Sequence, residues 1–267
     1  MPVRAIGPTG APEQVGRRRT RTTEAIVVRV VDYREADRIV GLFTAQQGRV
    51  SALARGARKS SKRFAGLGAL ARGSAELADG AGELASLEGF EATWDPAALV
   101  EEVAHLALAS YGVELAYELA PPRQPEPEVF RAVTAYLDRL AAGSPSSALP
   151  RWLELRVFDA LGHAPVLDRC VRCGRAADDG ALQSFDVAGG GVVCGACRQG
   201  SLPRLPGASR IALLELRGTS TPQLLAPLPA GANAPAREAM LALGRHLLGK
   251  TLKSVELLLG LREAKRS

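Results

Sequence analysis

The sequence predicts an α+β chain of more than one domain: a small amino-terminal β-barrel, then an α-helical domain that carries a four-cysteine zinc-ribbon module. Three observations point there. Residues 23–94 hold five short strand-like runs with no helical period between them. From Pro96 onward apolar residues recur every three or four positions. All four cysteines fall in one stretch, as two CxxC pairs.

The strand-like runs come first. EAIVVRVV is β-branched, RIVGLFT follows it, and the turn QQG leads into RVSALAR. SAELA and ELASLEGFEATW, split by the turn DGAG, complete the set. The pattern then changes. PAALVEEVAHLALASYGVELAYELA reads as one helix opening at Asp95–Pro96, with Leu99, Val103, Leu106 and Ser110 aligned. After the break PPRQPEPE, a second amphipathic helix puts Val129, Val133, Tyr136, Leu137 and Leu140 on one face. A third, PRWLELRVFDALG, turns Trp152, Leu155 and Phe158 inward, with Leu161 at its end. Residues 166–200 have little periodic structure, and IALLELR, PAREAMLALGRHLL and TLKSVELLLGLRE close the chain as helices. The expected organisation is a disordered basic tail (1–21), a barrel (22–95), a first helical part (96–165), the cysteine module (166–200) and a second helical part (201–267).

Totals agree with this division. The 267 residues exceed one unit at about 150 residues per domain. Hydrophobic residues make up 46%, charged residues 23%, and mean hydropathy is +0.02, as in water-soluble globular chains. No apolar run reaches the roughly 18 residues of a membrane span, and the first twenty residues lack the apolar core of a secretory signal. A cytoplasmic protein without membrane contact is expected. Charge is uneven: residues 1–75 carry 15 Lys/Arg against 5 Asp/Glu, a net of +10, while the remainder is mildly acidic. A basic third beside an acidic remainder suits a surface that meets a polyanion.

The cysteines carry the most specific signal. Cys170-x2-Cys173 and Cys194-x2-Cys197 have the spacing of a zinc ribbon. Two thiolates on a tight knuckle reach one ion at about 2.3 Å, and two knuckles close a tetrahedron. Gly174 and Gly195 stand where knuckle turns favour glycine. Four thiolates leave no open position, so one structural zinc ion per chain is expected and not a catalytic one. Two disulfides or a redox pair would fit the same residues, but a cytosolic setting disfavours stable disulfides.

The second feature is ARGARKSSKRF, residues 54–64, in which Arg55, Arg58, Lys59, Lys62 and Arg63 stand without an acidic residue. A cationic loop between barrel strands can track a phosphate backbone, gaining affinity from counterion release and without reading bases. Ser60 and Ser61 offer hydrogen bonds, Gly56 allows close approach, and Tyr33, Phe43 and Phe64 are candidate stacking partners. Such runs are often only solvated loops, and Phe43 also suits a core. The +10 of the first 75 residues favours nucleic acid.

Two weaker signals are set aside. Gly244–Thr251, GRHLLGKT, matches the phosphate-binding pattern GxxxxGK[ST]. A helical period precedes it where a strand is required, so a helix junction with Gly249 as cap is expected. His105, His163 and His246 form no metalloprotease or deaminase motif. His105 suits a core or helix-edge position, and no enzymatic activity is expected.

The order of features resembles the RecO family of bacterial recombination mediators and DNA repair proteins. The likeness rests on the strand ending at Tyr33, Glu35-Ala-Asp37-Arg38 before Leu-Phe-Thr, Gly56-Ala-Arg58-Lys59, Lys62-Arg63-Phe64, the paired CxxC and LKSVELL, and it spans residues 22 to about 260. The resemblance implies that the barrel is an OB-fold, with Arg38, Arg55, Arg58, Lys59, Lys62 and Arg63 as DNA contacts and Cys170, Cys173, Cys194 and Cys197 as zinc ligands. It further implies single- and double-stranded DNA as ligands, annealing of complementary strands, and a cytoplasmic, nucleoid-associated location. A RecR-like partner, single-stranded-DNA-binding protein and, indirectly, RecA are implied partners. An RNA-binding or ribosome-associated adaptor is the alternative, since fold does not fix function. The tail 1–21, with Arg17, Arg18, Arg19 and Arg21, departs from the family pattern.

Overall fold

The computed structural model describes residues 19–80, 83–143 and 146–264. Most of the expected tail therefore lies outside the described residues, and Thr20 and Arg21 open the first strand.

Six strands form the amino-terminal sheet: β1 (Thr20–Tyr33), β2 (Asp37–Thr44), β3 (Gly48–Ala54), β4 (Phe64–Ala65), β5 (Arg72–Ala78) and β6 (Ala85–Trp94). Their order is β3-β2-β1-β5-β6-β4, and a parallel pairing of β3 with β6 through Ala52–Ala85 and Leu53–Ser86 closes the sheet into an OB-like barrel. The long strand β1 serves two neighbours. Residues 20–26 pair with β5, residues 25–33 pair with β2, and a bulge between Val27 and Arg29 lets the strand bend from one to the other. Alternation fixes the faces. Ala25, Val27, Val40, Leu42, Val50, Ala52 and Ala54 fill the barrel.

β4 was not among the expected strands. Its two residues are too few to show a period, yet they pair with Phe90 and Glu91 and carry Phe64 into the barrel core.

The helical domain follows at once. The segment expected as one helix from Pro96 is two: α1 (Ala97–Val100) and α2 (Val103–Leu119), with extended backbone at Glu102 between them. The expected facing also fails in part. Leu99 is buried, but Val103 is 55% exposed, and the buried residues of α2 include Ala107, Tyr111, Val113, Leu115 and Tyr117. The reason is position. α2 touches β1, β3 and the helices on either side of the cysteine segment, so its Ala-rich surface is covered on several sides and no single stripe selects a face.

α3 (Pro127–Ala141) buries Val129, Val133, Tyr136, Leu137 and Leu140 as its period predicts, and α4 (Ala148–Ala160) buries Trp152, Leu155 and Phe158. Then comes the cysteine segment with its own sheet, in the order β8-β7-β9: β7 (Gln183–Asp186), β8 (Gly191–Val193) and β9 (Arg204–Leu205). α5 (Gly207–Gly218), α6 (Asn233–Leu248) and α7 (Lys253–Ala264) complete the chain.

Barrel and helices share a wall. Ile26 and Phe43 point away from the barrel interior into a core with Val113, Tyr117, Phe130 and Val133, and the Phe43 and Phe130 rings lie 5.8 Å apart. A further core joins Tyr111, Phe158, Leu213 and Met240 to Leu167, Phe185, Val192 and Leu205 of the cysteine segment. Among the described residues no helix is long and apolar enough to cross a membrane.

Candidate zinc centre and cationic barrel loop

The cysteine segment leaves α4 and returns at α5, and its first knuckle is a tight turn. The Gly174 N–H donates to the Cys170 carbonyl at 2.9 Å, and the Cys170 N–H donates to the Arg175 carbonyl at 2.8 Å. Gly174 lies at φ +73°, a conformation that side chains resist. Gly195 is not in that region, so its knuckle does not depend on glycine in the same way. The Cys197 N–H closes the second turn on the Cys194 carbonyl at 3.1 Å.

The two knuckles are tied together. The Val171 N–H donates to the Val192 carbonyl at 2.9 Å, next to the end of β8. Arg172 donates to the Asp186 carboxylate at 2.9 Å and to the Cys197 carbonyl at 3.1 Å. Buried Leu167, Phe185, Val192 and Val193 lie beneath.

All four sulfurs lie within 4.8 Å of one another, and the Cys173 and Cys194 sulfurs are 3.8 Å apart. Sulfur–ion distances of about 2.3 Å in a tetrahedron require sulfur–sulfur edges of about 3.8 Å. A disulfide requires about 2.05 Å, and all four cysteines are free. Burial pushes the Cys170 thiol up, but backbone N–H groups of Cys194, Cys173 and Arg172 outweigh it and bring the thiol down to about 6. Hydrogen bonds to Cys173 and Cys194 push the Cys197 thiol up to about 12. Crowded thiols of this kind suit a divalent cation, which deprotonates thiols that coordinate it. Donor set and spacing fit zinc.

The basic loop leaves β3 at Arg55 and re-enters the sheet at Phe64. Gly56, at φ +71°, turns the chain, and its N–H donates to the Asp37 carboxylate at 2.8 Å. The Arg58 N–H donates to the Ala36 carbonyl at 3.0 Å. The loop is therefore pinned to the β1–β2 turn and does not hang free.

Arg55, Arg58, Lys59, Lys62 and Arg63 are all exposed. Arg38 and Arg58 converge on Asp32, at 3.1 Å and 3.7 Å, and together line an open depression of about 500 Å³ with Ser61, Gly66 and Gly68. Arg55 and Arg63 stand together, since Arg63 donates to the Arg55 carbonyl and lies over the Phe64 ring at 4.8 Å. Lys59 and Lys62 do not line that depression, and among the described residues neither has a carboxylate within 4.0 Å.

Of the stacking candidates, Phe43 is fully buried and Phe64 is 5% exposed, so neither presents a ring to a base. Tyr33 is 37% exposed, with Arg34 over its ring at 5.1 Å. The GxxxxGK[ST] match falls as expected on a helix junction. Gly244 lies inside α6, Gly249 caps it at φ +66°, and the Lys250 ammonium contacts Glu118 at 2.8 Å. Sequence reasoning missed the buried trio Arg151, Glu154 and Tyr111, whose hydroxyl donates to Glu154 at 2.6 Å. The i, i+3 spacing of Arg151 and Glu154 was its only local signal.

The chain is thus of the class in which a closed OB-like sheet is fused to a helical domain interrupted by a four-thiol module. Comparison with known proteins narrows that class to one family. Models described as Recombination protein O N terminal and Recombination protein O C terminal match residues 19–93 and 101–256. The chain belongs to the RecO family of DNA repair proteins. DNA repair protein RecO of Anaeromyxobacter sp. (strain K) is 41% identical over 232 residues, 85% of this chain and 91% of its own. That of Myxococcus xanthus (strain DK1622) is 37% identical over 236 residues, 87% and 94% of the two chains. That of Geobacter sulfurreducens is 38% identical over 181 residues, 67% and 74%.

Proposed function

We propose that the chain is a non-enzymatic recombination mediator that holds DNA by its phosphates. The single observation that carries this is the basic loop, five exposed cations on a backbone pinned by Asp37 and Ala36. Arg38, Arg55, Arg58, Lys59, Lys62 and Arg63 are the contacts in this reading. Fixed cations neutralise phosphates without reordering, and two neutralised strands repel each other less. Annealing of complementary single strands follows without a chemical step. Buried Phe43 and Phe64 leave little aromatic surface for bases, which favours phosphate contact over stacking.

Cys170, Cys173, Cys194 and Cys197 hold one zinc ion in this reading. Zinc supplies cross-linking of the two knuckles and no catalysis, since its four positions are filled. In the cell the protein acts in the cytoplasm, at the nucleoid, with a RecR-like partner. Together they help place RecA on strands coated by single-stranded-DNA-binding protein.

Annealing of two complementary oligonucleotides across a salt series tests the reading. The wild type should anneal, and a variant with Arg58, Lys59, Lys62 and Arg63 all changed to Ala should lose annealing and show a flatter salt dependence of binding. Folded, zinc-loaded protein that neither binds nor anneals DNA overturns it. Preference for a matched RNA strand would favour an RNA-binding adaptor instead.

A further inference from the structure

The seam between barrel and helices holds a second group of cations, at the far end of β3 from the basic loop. Arg29 of β1 and Arg49 of β3 flank the buried Tyr117 ring of α2, at 5.8 Å and 5.6 Å from its centre. Ser51 Oγ lies 3.3 Å from the Tyr117 hydroxyl. Gly41 makes room for this cluster, because a Cβ there would stand 2.9 Å from Arg29 Cγ and 3.1 Å from the Tyr117 hydroxyl.

Arg123 completes the group from the loop after α2. That loop is stitched to β3: the Arg123 N–H donates to the Arg49 carbonyl at 3.0 Å. At Gly48 a Cβ would meet the Gln124 carbonyl at 1.9 Å, so the turn before β3 admits only glycine beside it. Arg123 itself is held at φ +57°, a conformation uncommon for a residue that bears a side chain. Its guanidinium donates to the Glu83 carbonyl at 2.8 Å, which holds the side chain at the mouth of the seam.

These cations line an opening of about 580 Å³ with Lys250, whose two carboxylates are Glu83 and Glu118. Glu118 is already engaged by Lys250 at 2.8 Å and Arg49 at 3.8 Å. Among the described residues, neither Arg29 nor Arg123 has a carboxylate within 4.0 Å. A second opening of about 560 Å³ continues from it, sharing Arg29, Tyr117, Glu118 and Lys250. It adds apolar wall from Val28, Val31 and Leu257, of which Val31 is 52% exposed.

We propose that this trough is a second nucleic-acid subsite, which takes the phosphate chain of a single strand. The inference rests on the proposed function for its ligand class and adds a site to it. The length of two joined openings exceeds a lone phosphate. Cations at one end and apolar wall at the other suit a strand whose bases are unpaired, whereas a duplex hides its base faces. Arg55 follows Arg49 by six positions along and just beyond β3, about 20 Å at the strand rise of about 3.3 Å per residue. One chain would thus hold nucleic acid at two places.

The test measures binding of a fluorescent oligothymidylate to full-length protein between 50 and 200 mM salt. Three variants are compared: Arg29→Ala with Arg123→Ala, the four-alanine loop variant, and their combination. Losing two phosphate contacts should flatten the salt slope by about 1.4, so the wild type's excess affinity over the cleft variant shrinks about 7-fold across that range. Unchanged binding by the cleft variant, with loss in the loop variant, overturns the subsite and leaves the proposed function standing. Loss in the cleft variant alone keeps the subsite and moves the main contact off the loop. No loss in either overturns both. Inorganic phosphate, a duplex of the same length and an octaglutamate peptide serve as competitors. Displacement by the peptide at equal charge, dependent on Arg29 and Arg123, would overturn the subsite in favour of an acidic protein segment.

Discussion

The Asp32 carboxylate holds Arg38 Nε at 3.1 Å, and the same carboxylate stands 3.7 Å from Arg58 Nε. One acid thus sits between the two cations that converge at the rim of the loop depression. It aligns their guanidinium groups and also competes with any phosphate for them.

Asp32→Asn should therefore strengthen DNA binding. Exposed pairs of this kind are worth about 0.2–1 kcal/mol, so affinity should rise by up to about five-fold. The salt dependence should steepen in parallel. Anisotropy titrations with a short oligonucleotide check both, and a weaker variant would show that Asp32 acts by alignment instead.

Asp37→Ala separates charge from geometry. The substitution makes the barrel more basic, so charge alone would raise affinity. It also removes the acceptor that the Gly56 N–H reaches at 2.8 Å, which frees the loop. If placement of the cations matters, affinity falls about two- to ten-fold, the effect of losing a hydrogen bond worth about 0.5–1.5 kcal/mol. The same titrations decide.

Metal analysis of reduced protein purified without chelator should find one zinc ion per chain. Chelation, or Cys194→Ser, should raise hydrogen exchange first in residues 166–200 and only later in α3 or the barrel, because metal binding and local folding are linked. Protein that carries no metal and keeps that segment protected would remove the zinc assignment.

Arg151 and Glu154 are buried together, with the Tyr111 hydroxyl on the same carboxylate. Glu154→Ala should lower unfolding stability by about 3–5 kcal/mol, since it leaves a buried guanidinium without its partner. Replacing Arg151 by Met, Glu154 by Leu and Tyr111 by Phe together should recover most of that loss. Guanidinium denaturation reads both. Equal losses in the two proteins would mean that shape and not charge holds the site.

What the sequence showed and what it hid follow from locality. Val40 and Leu42, or Val50, Ala52 and Ala54, alternate within one strand, so the barrel was legible. The paired CxxC states its geometry in its spacing. Phe64 misled because a two-residue strand has no period, and an aromatic after a cationic run reads as a stacking partner. α2 misled because it is covered on several sides and alanine marks no face. Arg29, Arg49, Arg123 and Lys250 were invisible as a group. They come from four separate elements, and only the closure of the barrel against α2 brings them together.

Ile26 and its neighbours Ala25 and Val27 belong to different cores on the two sides of one strand. Melting the barrel would therefore open one wall of the helical core, and melting the helices would bare Ile26 and Phe43 on the outer face of the barrel. Heating should give one calorimetric peak whose enthalpy matches its sharpness. An oligonucleotide gripping only the barrel should then raise the melting temperature reported by Trp152, a side chain far along the chain in α4, because ligand linkage acts on the whole cooperative unit.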